Sequence, residues 1–415
     1  MMKASRVKFS VIKPLLFNRY VGIFIKTAAR NPHDNRENAL KNRELSILAD
    51  ENIPMVNEMF SQFGSIKRVD GRSLSAEQLI GVDVLLVRSV TKVDEHLLAD
   101  SSVKFIGSAT IGTDHIDEDY LYENGITFSS APGCNADAVV EYDLCCVSQL
   151  LAVNHESLID KTVAIIGVGN VGRKLQQRLE AIGVNKLLLN DPPRAQQESG
   201  FSELEDCFKN ADIIAMHTPL IKDGAWPTHH LVTIDTLKLL KPNAIILNAG
   251  RGPAIKANDL LTFLEKRTDV RAVLDVWEHE PRVDKHLASL VTIATSHIAG
   301  YSLEGKVRGT YMLKLAFCKL LNIETLDSLD DYLPVPAITN IELTENIDAA
   351  AVMKLIYDPF VDDRALRATL GENDQLMKFD LLRKHYPIRR EFSALKVSTK
   401  DRGHRSLLAN IGFDS

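Results

Sequence analysis

The stretch TVAIIGVGNVGRKLQQRLEAIG, starting at Thr162, narrows the choice of fold more than any other part of the chain. A short apolar run reads as a buried strand. It ends on Gly167-x-Gly169-x-x-Gly172 and passes at once into the three-to-four-residue apolar spacing of an amphipathic helix. Alone, three glycines at this spacing are weak evidence; between a strand and a helix they have separate tasks. Gly167 permits a tight turn. Gly169, with Asn170 and Val171 beside it, lets the backbone approach a pyrophosphate, and Gly172 lets the helix lie close on the strand. Unpaired N–H groups of the first helical turn then face the anion. The next apolar run, KLLLND, leads to Asp191, about 20 residues beyond Gly172. An acid there accepts hydrogen bonds from ribose hydroxyls and repels a 2′-phosphate. The stretch implies NAD; the nearby Arg194 is the one feature that argues for NADP.

The rest of the chain fits around this unit. TVAIIG, KLLLND, ADIIAMH, NAIILNAG, VRAVLDV and LVTIATS form a series of strands separated by helical patterns. An earlier series, LSILADE, VDVLLVRS, VKFIGSA and ITFSSAPG, has the same character. Strands alternating with helices predict parallel sheets covered on both faces, so the expected fold is α/β with two doubly wound domains, Rossmann- or flavodoxin-like. The helical pattern SLEGKVRGTYMLKLAFCKLL, with its start at Ser302, is read as crossing back to the first domain. That makes the first domain discontinuous, residues 45–142 with 298–325, around a dinucleotide-binding domain at 143–297. Residues 330–415 read as a separate small α+β unit without a catalytic constellation. Its apolar stretches, such as AVMKLIYDPF, need another surface to bury against, which predicts contact between two copies of the chain.

Bulk properties exclude several classes. A chain of 415 residues with net charge −6 offers no broad basic surface for nucleic acid, and no apolar run is long enough to span a membrane. Five cysteines, none at C-x-x-C spacing, read as reduced thiols of a cytoplasmic protein. Residues 1–44 carry only basic charges before Asp34 and are read as a poorly ordered extension, with an organellar targeting segment as the alternative.

Chemistry collects at strand ends. AIILNAGRG reaches Arg251, AVLDVWEHEP passes Asp275 to Glu280, and VTIATSH reaches His297. Ligands of an open parallel sheet bind beyond the carboxyl ends of its strands, so these groups converge where a nicotinamide would lie. Each has an ordinary structural explanation by itself: a surface charge, a loop acid, a helix cap. Together they are what oxidation of a hydroxy acid requires, namely a cation for the carboxylate, a base for the hydroxyl proton and an acid that orients the base.

The motifs VGNVGRKLQQRLEAIG, HTPL, LNAGRGPAI, LDVWEHEP and SHIAG together resemble the NAD-dependent, D-isomer specific 2-hydroxyacid dehydrogenases over residues 45–321. LADENIP, VRSVTKV, SATIGTDHID, APGCNADAVVEY and HIAGYSLEGKVRGT are similar to the branch that acts on erythronate 4-phosphate, in which an additional C-terminal unit serves dimerisation. The resemblance implies that Arg251 is the catalytic and carboxylate-binding arginine and that Glu280 pairs with His297, the proton carrier. It implies NAD contacts from Asp191, Thr218, Ala249, Gly250, Arg251, Asp275 and Gly300, and substrate contacts from Ser89, Thr110 and Tyr301. The implied reaction takes 4-phospho-D-erythronate to its 2-oxo acid in vitamin B6 synthesis, in a homodimer. Alternatives are a dehydrogenase of phosphoglycerate or glycerate, and an NAD-sensing protein related to corepressors of the same fold.

For the substrate phosphate, VRSVTK is the expected site. It places Ser89, with Arg88 and Lys92 flanking, at a strand end ahead of a helix. Two further groupings suggest metals and are read otherwise. TDHID is taken as a helix start capped by Thr113 or Asp114. His229 and His230 lie in a polar loop without partner acids at ligand spacing, so no metal is expected.

Overall fold

The computed structural model describes residues 25–26, 40, 43–345 and 347–415. The first sheet contains β1 (Ile25–Lys26), β2 (Leu45–Asp50), β3 (Gly64–Val69), β4 (Val84–Val87), β5 (Phe105–Ser108) and β6 (Thr127–Ser129). Its order is β1-β6-β5-β4-β2-β3, parallel throughout except for β1, which pairs antiparallel with the β6 edge. The expectation of a poorly ordered extension at 1–44 therefore falls largely outside the described residues.

The second sheet contains β7 (Thr162–Ile166), β8 (Lys186–Asn190), β9 (Ile213–Met216), β10 (Ile245–Asn248), β11 (Arg271–Leu274) and β12 (Ile293–Ala294), in the order β12-β11-β10-β9-β7-β8, all parallel. The central strands of both sheets are buried along their whole length, which is why they read as unbroken apolar runs. With β1 set aside, both sheets share one plan: the second strand lies on one side of the first, and the third and later strands on the other. The order reverses between β2 and β4 in one sheet and between β7 and β9 in the other. Such reversals open a crevice at the carboxyl ends of the strands, where ligands of these folds bind.

Two long helices join the halves. Helix α1 (Ala136–Ala152) is buried on most of its surface and packs into the core of the second sheet. After β12, α2 (Leu303–Leu321), capped by the Ser302 hydroxyl, returns to the first sheet. There Phe317 sets its ring 5.0 Å from Phe105 and 5.1 Å from Phe63. A side chain so buried contributes roughly 1.5–3 kcal/mol to anchoring α2 on the first sheet.

The C-terminal segment contains a two-stranded parallel sheet of β13 (Asn340–Leu343) and β14 (Lys396–Thr399). Four helices accompany it: α3 (Ala349–Ile356), α4 (Pro359–Arg367), α5 (Gln375–Lys384) and α6 (Arg402–Ile411). It is not a body apart. Val352, Met353, Tyr357, Phe392 and Leu408 enter the same core as α1 and β7, while Leu366 and Phe379 join the core on the other face of that sheet. The surface that AVMKLIYDPF needs is thus supplied chiefly by its own chain, because so short a segment cannot bury enough apolar area alone.

Candidate active site

The glycine turn follows β7. Gly167 has φ +87, and a Cβ there would lie 2.8 Å from the Thr218 nitrogen. A Cβ on Gly172 would strike the Gly167 carbonyl at 2.1 Å, so this glycine sets the contact of helix and strand. Gly169 faces open space. Beyond it, Asn170 and Val171 line a cleft of about 940 Å³ between the two sheets.

Asp191 ends β8. Its Oδ2 accepts the Val168 N–H at 2.8 Å and its Oδ1 the Arg194 N–H at 3.2 Å, so the acid is fixed against the glycine turn. Arg194 is turned to other work: it donates to the Val168 carbonyl at 2.8 Å and forms an ion pair with Glu198 at 2.6 Å. That geometry favours NAD over NADP. Thr218 follows β9 and lines the cleft with a buried hydroxyl that has no hydrogen-bond partner. An open glycine, an orphaned hydroxyl and a fixed carboxylate fit a dinucleotide.

Asp275, after β11, is buried and acts as a bracket. Its Oδ1 accepts from the Ile298 N–H at 2.8 Å and the Thr295 hydroxyl at 2.7 Å; Oδ2 accepts the Ala299 N–H at 2.9 Å. Its carbonyl accepts the His297 N–H at 2.7 Å. These bonds hold His297 at φ +58, a left-handed conformation that costs a non-glycine residue about 1–3 kcal/mol. The imidazole Nδ1 then lies 2.8 Å from Glu280 Oε2, while Glu280 Oε1 accepts the Trp277 N–H at 2.8 Å. Burial by itself would raise the Glu280 carboxyl. The charge and hydrogen bond of His297, the Trp277 N–H and Arg383 outweigh it and hold the group below its ordinary range. Glu280 is therefore a carboxylate that fixes one nitrogen of His297.

Arg251 follows β10 beside Ala249 and Gly250, which line the same cleft. It donates to the Gly250 carbonyl at 3.0 Å and reaches across to Asp114 Oδ2 at 3.2 Å. Gly112 stands where a Cβ would meet this guanidinium at 2.1 Å. Thus Asp114 is no helix cap. Asp117 caps that helix by accepting the Tyr120 N–H, and Asp114 is left free to meet the arginine. Gly300 abuts Asn135, whose buried Oδ1 lacks a hydrogen-bond partner. Asn135 belongs to the cleft and was not singled out from sequence, although GCNADAVVEY contains it.

Ser89, Thr110 and Tyr301 all line the cleft. The rest of VRSVTK is divided between the cleft and the surface. The helix after it starts only at Glu95, and the carboxylate of Asp94 already caps its N-terminus. Lys92 is exposed, pairs with Asp94 at 2.7 Å and does not line the cleft. Arg88 does line it, held by Asp50 at 3.1 Å. The pair His229 and His230 also differs from expectation. Glu278, brought in from beyond β11, puts three ligand-type atoms within 4.8 Å of one another. Glu278 there accepts the Ala257 N–H at 2.7 Å and bonds His230. Sequence spacing hides such a partner because strands set it.

Two cleft residues come from the segment that showed no catalytic set. Arg383 and Lys384, at the end of α5, line it beside His297 and Tyr301. Arg389 donates to the carbonyls of Ala299 and Ala138, and its own carbonyl accepts the Leu303 N–H at 2.8 Å. The C-terminal segment thus grips the loop that carries Gly300 and Tyr301.

Comparison with known proteins places the chain in a family. Residues 146–299 match the model of the D-isomer specific 2-hydroxyacid dehydrogenase NAD binding domain, and residues 332–412 match a domain of unknown function, DUF3410. Erythronate-4-phosphate dehydrogenase of Escherichia coli (strain K12) is 46% identical over 376 residues, covering 89% of this chain and 98% of that protein; the enzyme of Escherichia fergusonii has the same values. Among solved structures, NAD+-bound 3-phosphoglycerate dehydrogenase of Entamoeba histolytica superposes with a TM-score of 0.58 at 22% identity, over 68% of this chain and 96% of that one. D-lactate dehydrogenase with NAD+ from Lactobacillus jensenii gives 0.54 at 25% identity, over 68% and 98%.

Proposed function

The chain belongs to the erythronate-4-phosphate dehydrogenases, within the D-isomer specific 2-hydroxyacid dehydrogenase family, and on that premise we propose how its residues carry out the reaction. The substrate is 4-phospho-D-erythronate, oxidised at C2 to (R)-3-hydroxy-2-oxo-4-phosphooxybutanoate, a step toward pyridoxal 5′-phosphate. NAD, when bound, accepts the hydride from C2. Gly167, Gly169, Asn170, Val171 and Gly172 hold its pyrophosphate, Asp191 its ribose, and Thr218, Ala249, Gly250, Asp275 and Gly300 the remainder.

Arg251 binds the substrate carboxylate as a planar fork, taking it in place of the Asp114 carboxylate. Ser89, Thr110 and Tyr301 orient the rest of the molecule. His297 Nδ1 is committed to Glu280, so Nε2 takes the hydroxyl proton as C2 is oxidised. Glu280 keeps the ring in place and favours the imidazolium that results. The 45–142 and 298–325 half closing on the 143–297 half excludes water.

The observation that carries this reading is the His297–Glu280 pair in one cleft with Arg251 and the glycine turn. The test is reduction of NAD by the full chain with 4-phospho-D-erythronate, 3-phosphoglycerate, glycerate and D-lactate. Preferred turnover of 4-phospho-D-erythronate is expected. Preference for another acid, or NAD binding without turnover, overturns it.

We also propose a homodimer formed through residues 330–415, where Val335, Ile338 and Leu355 expose apolar side chains. Sizing the intact protein checks this. No described helix is long and apolar enough to cross a membrane. The buried, unpaired cysteines suit the reducing cytoplasm.

A further inference from the structure

We infer that the C-terminal segment completes the substrate site: Arg383 and Lys384, together with Lys306 and Arg88, form the subsite for the phosphate of a phosphomonoester acid. This rests on the reading of Arg251 as the carboxylate ligand. A substrate with two anionic ends needs a second cationic site, and Lys92 does not line the cleft.

The cations of this second site line the same cleft as His297. They come from three places: Arg88 from beyond β4, Lys306 from the first turn of α2, and Arg383 with Lys384 from the last turn of α5. Tyr301 gathers two of them, with Lys306 4.5 Å and Arg383 5.8 Å from its ring centre. Cations gathered at one aromatic ring repel each other unless an anion joins them.

Acids outnumber bases in this chain, 55 to 49, yet no carboxylate among the described residues comes within 4 Å of Lys306 or Arg383, and Glu280 and Asp380 act on Arg383 only from further off. Arg383 Nε is buried and has no hydrogen-bond acceptor. Burial, with Arg88 and Arg389 nearby, pushes the Lys306 ammonium down to about 8. This is the electrostatic mark of a site awaiting a dianion. Lys384 also meets Glu51 at 3.4 Å, so the C-terminal segment reaches the substrate half at the mouth of the cleft.

The test uses full-length protein saturated with NAD. Arg383→Gln should raise KM for 4-phospho-D-erythronate roughly tenfold or more, as expected for loss of a charge-assisted contact. Competition by inorganic phosphate should weaken in parallel. The KM for NAD should stay within about twofold, any fall in kcat should be smaller than the rise in KM, and Arg383→Lys should restore part of the loss. Unchanged KM and phosphate inhibition overturn the proposal. So does a fall in kcat alone, which would make Arg383 a support for Glu280. Lys384→Gln, at an exposed position, reads the same subsite if R383Q is unstable: a smaller rise in KM is expected, and no change overturns the assignment. If the wild-type chain fails to oxidise 4-phospho-D-erythronate, the reading of the reaction fails first. Calorimetric binding of inorganic phosphate then judges the subsite separately: binding lost in R383Q upholds it, and binding unaffected ends it.

Discussion

The two parallel sheets share a strand order and differ in what they carry at their carboxyl ends. Where the order of the second sheet reverses, Gly167 packs close against the Thr218 backbone, and a gap remains beyond them where Gly169 faces open space and the Thr218 hydroxyl has no partner. At the same point in the first sheet, Asp50 and Arg88 close the gap with an ion pair at 3.1 Å. The proposed reacting groups Arg251, Glu280 and His297 all follow strands of the second sheet, while the first contributes Arg88, Ser89 and Thr110. One topology thus yields a chemical wall and a recognition wall. The difference lies in the few residues after each strand.

The sharpest test of the chemical wall is its base. His297→Asn should lower kcat by a factor on the order of 10² to 10⁴ in steady-state assays while NAD still binds. If that variant turned over normally, the second sheet would lose its claim to the chemistry. Next comes the bracket. Asp275→Asn presents an N–H group to the donors of Ile298, Thr295 or Ala299, and should cost about 1–3 kcal/mol in denaturant unfolding, with turnover falling as His297 loses its position.

The recognition wall should reveal itself through pH. Lys306, near Tyr301, Arg88 and Arg389, loses its proton as pH rises through about 8 in the free protein. For the phosphorylated acid, kcat/KM should therefore fall above that value, and Lys306→Met should flatten this limb. The stability sign is opposite. A depressed lysine binds fewer protons folded than unfolded, so its burial cost is greatest below pH about 8 and eases from there toward its ordinary value. Unfolding measured across that range checks the direction.

Two smaller effects sharpen the contrast. Asp191→Ala should weaken NAD and narrow its preference over NADP, read from KM for each; a wild-type preference for NADP would count against the ribose role. Lys92→Gln should leave KM within about twofold, because this lysine pairs with Asp94 outside the cleft. A large change there would return the phosphate to the VRSVTK loop.

Much of the second sheet was legible because its groups obey local rules. A glycine's lack of a side chain, an acid one strand later and polar residues at strand ends all depend on neighbours within a few positions. The return of α2 was legible too, from its apolar spacing and from Ser302, which does cap it. What local rules misplaced were contacts between distant segments. Asp114 looked like a cap because caps are local, yet it meets Arg251 across the cleft. Glu278 was invisible as a partner of His230 because 48 residues separate them.

The C-terminal segment marks the boundary between the two kinds of information. Its apolar helices announced that they must be covered, since water penalises that surface wherever it lies. Hydrophobic burial has no direction, so nothing in the residues named the covering surface. Packing supplied it: Phe379 buries in the core beside the second sheet, and the same helix ends with Arg383 beside Tyr301. The strand and helix pattern and the cofactor turn follow from neighbours along the chain. The cationic end of the cleft follows from where a short helix, unable to bury itself, comes to rest.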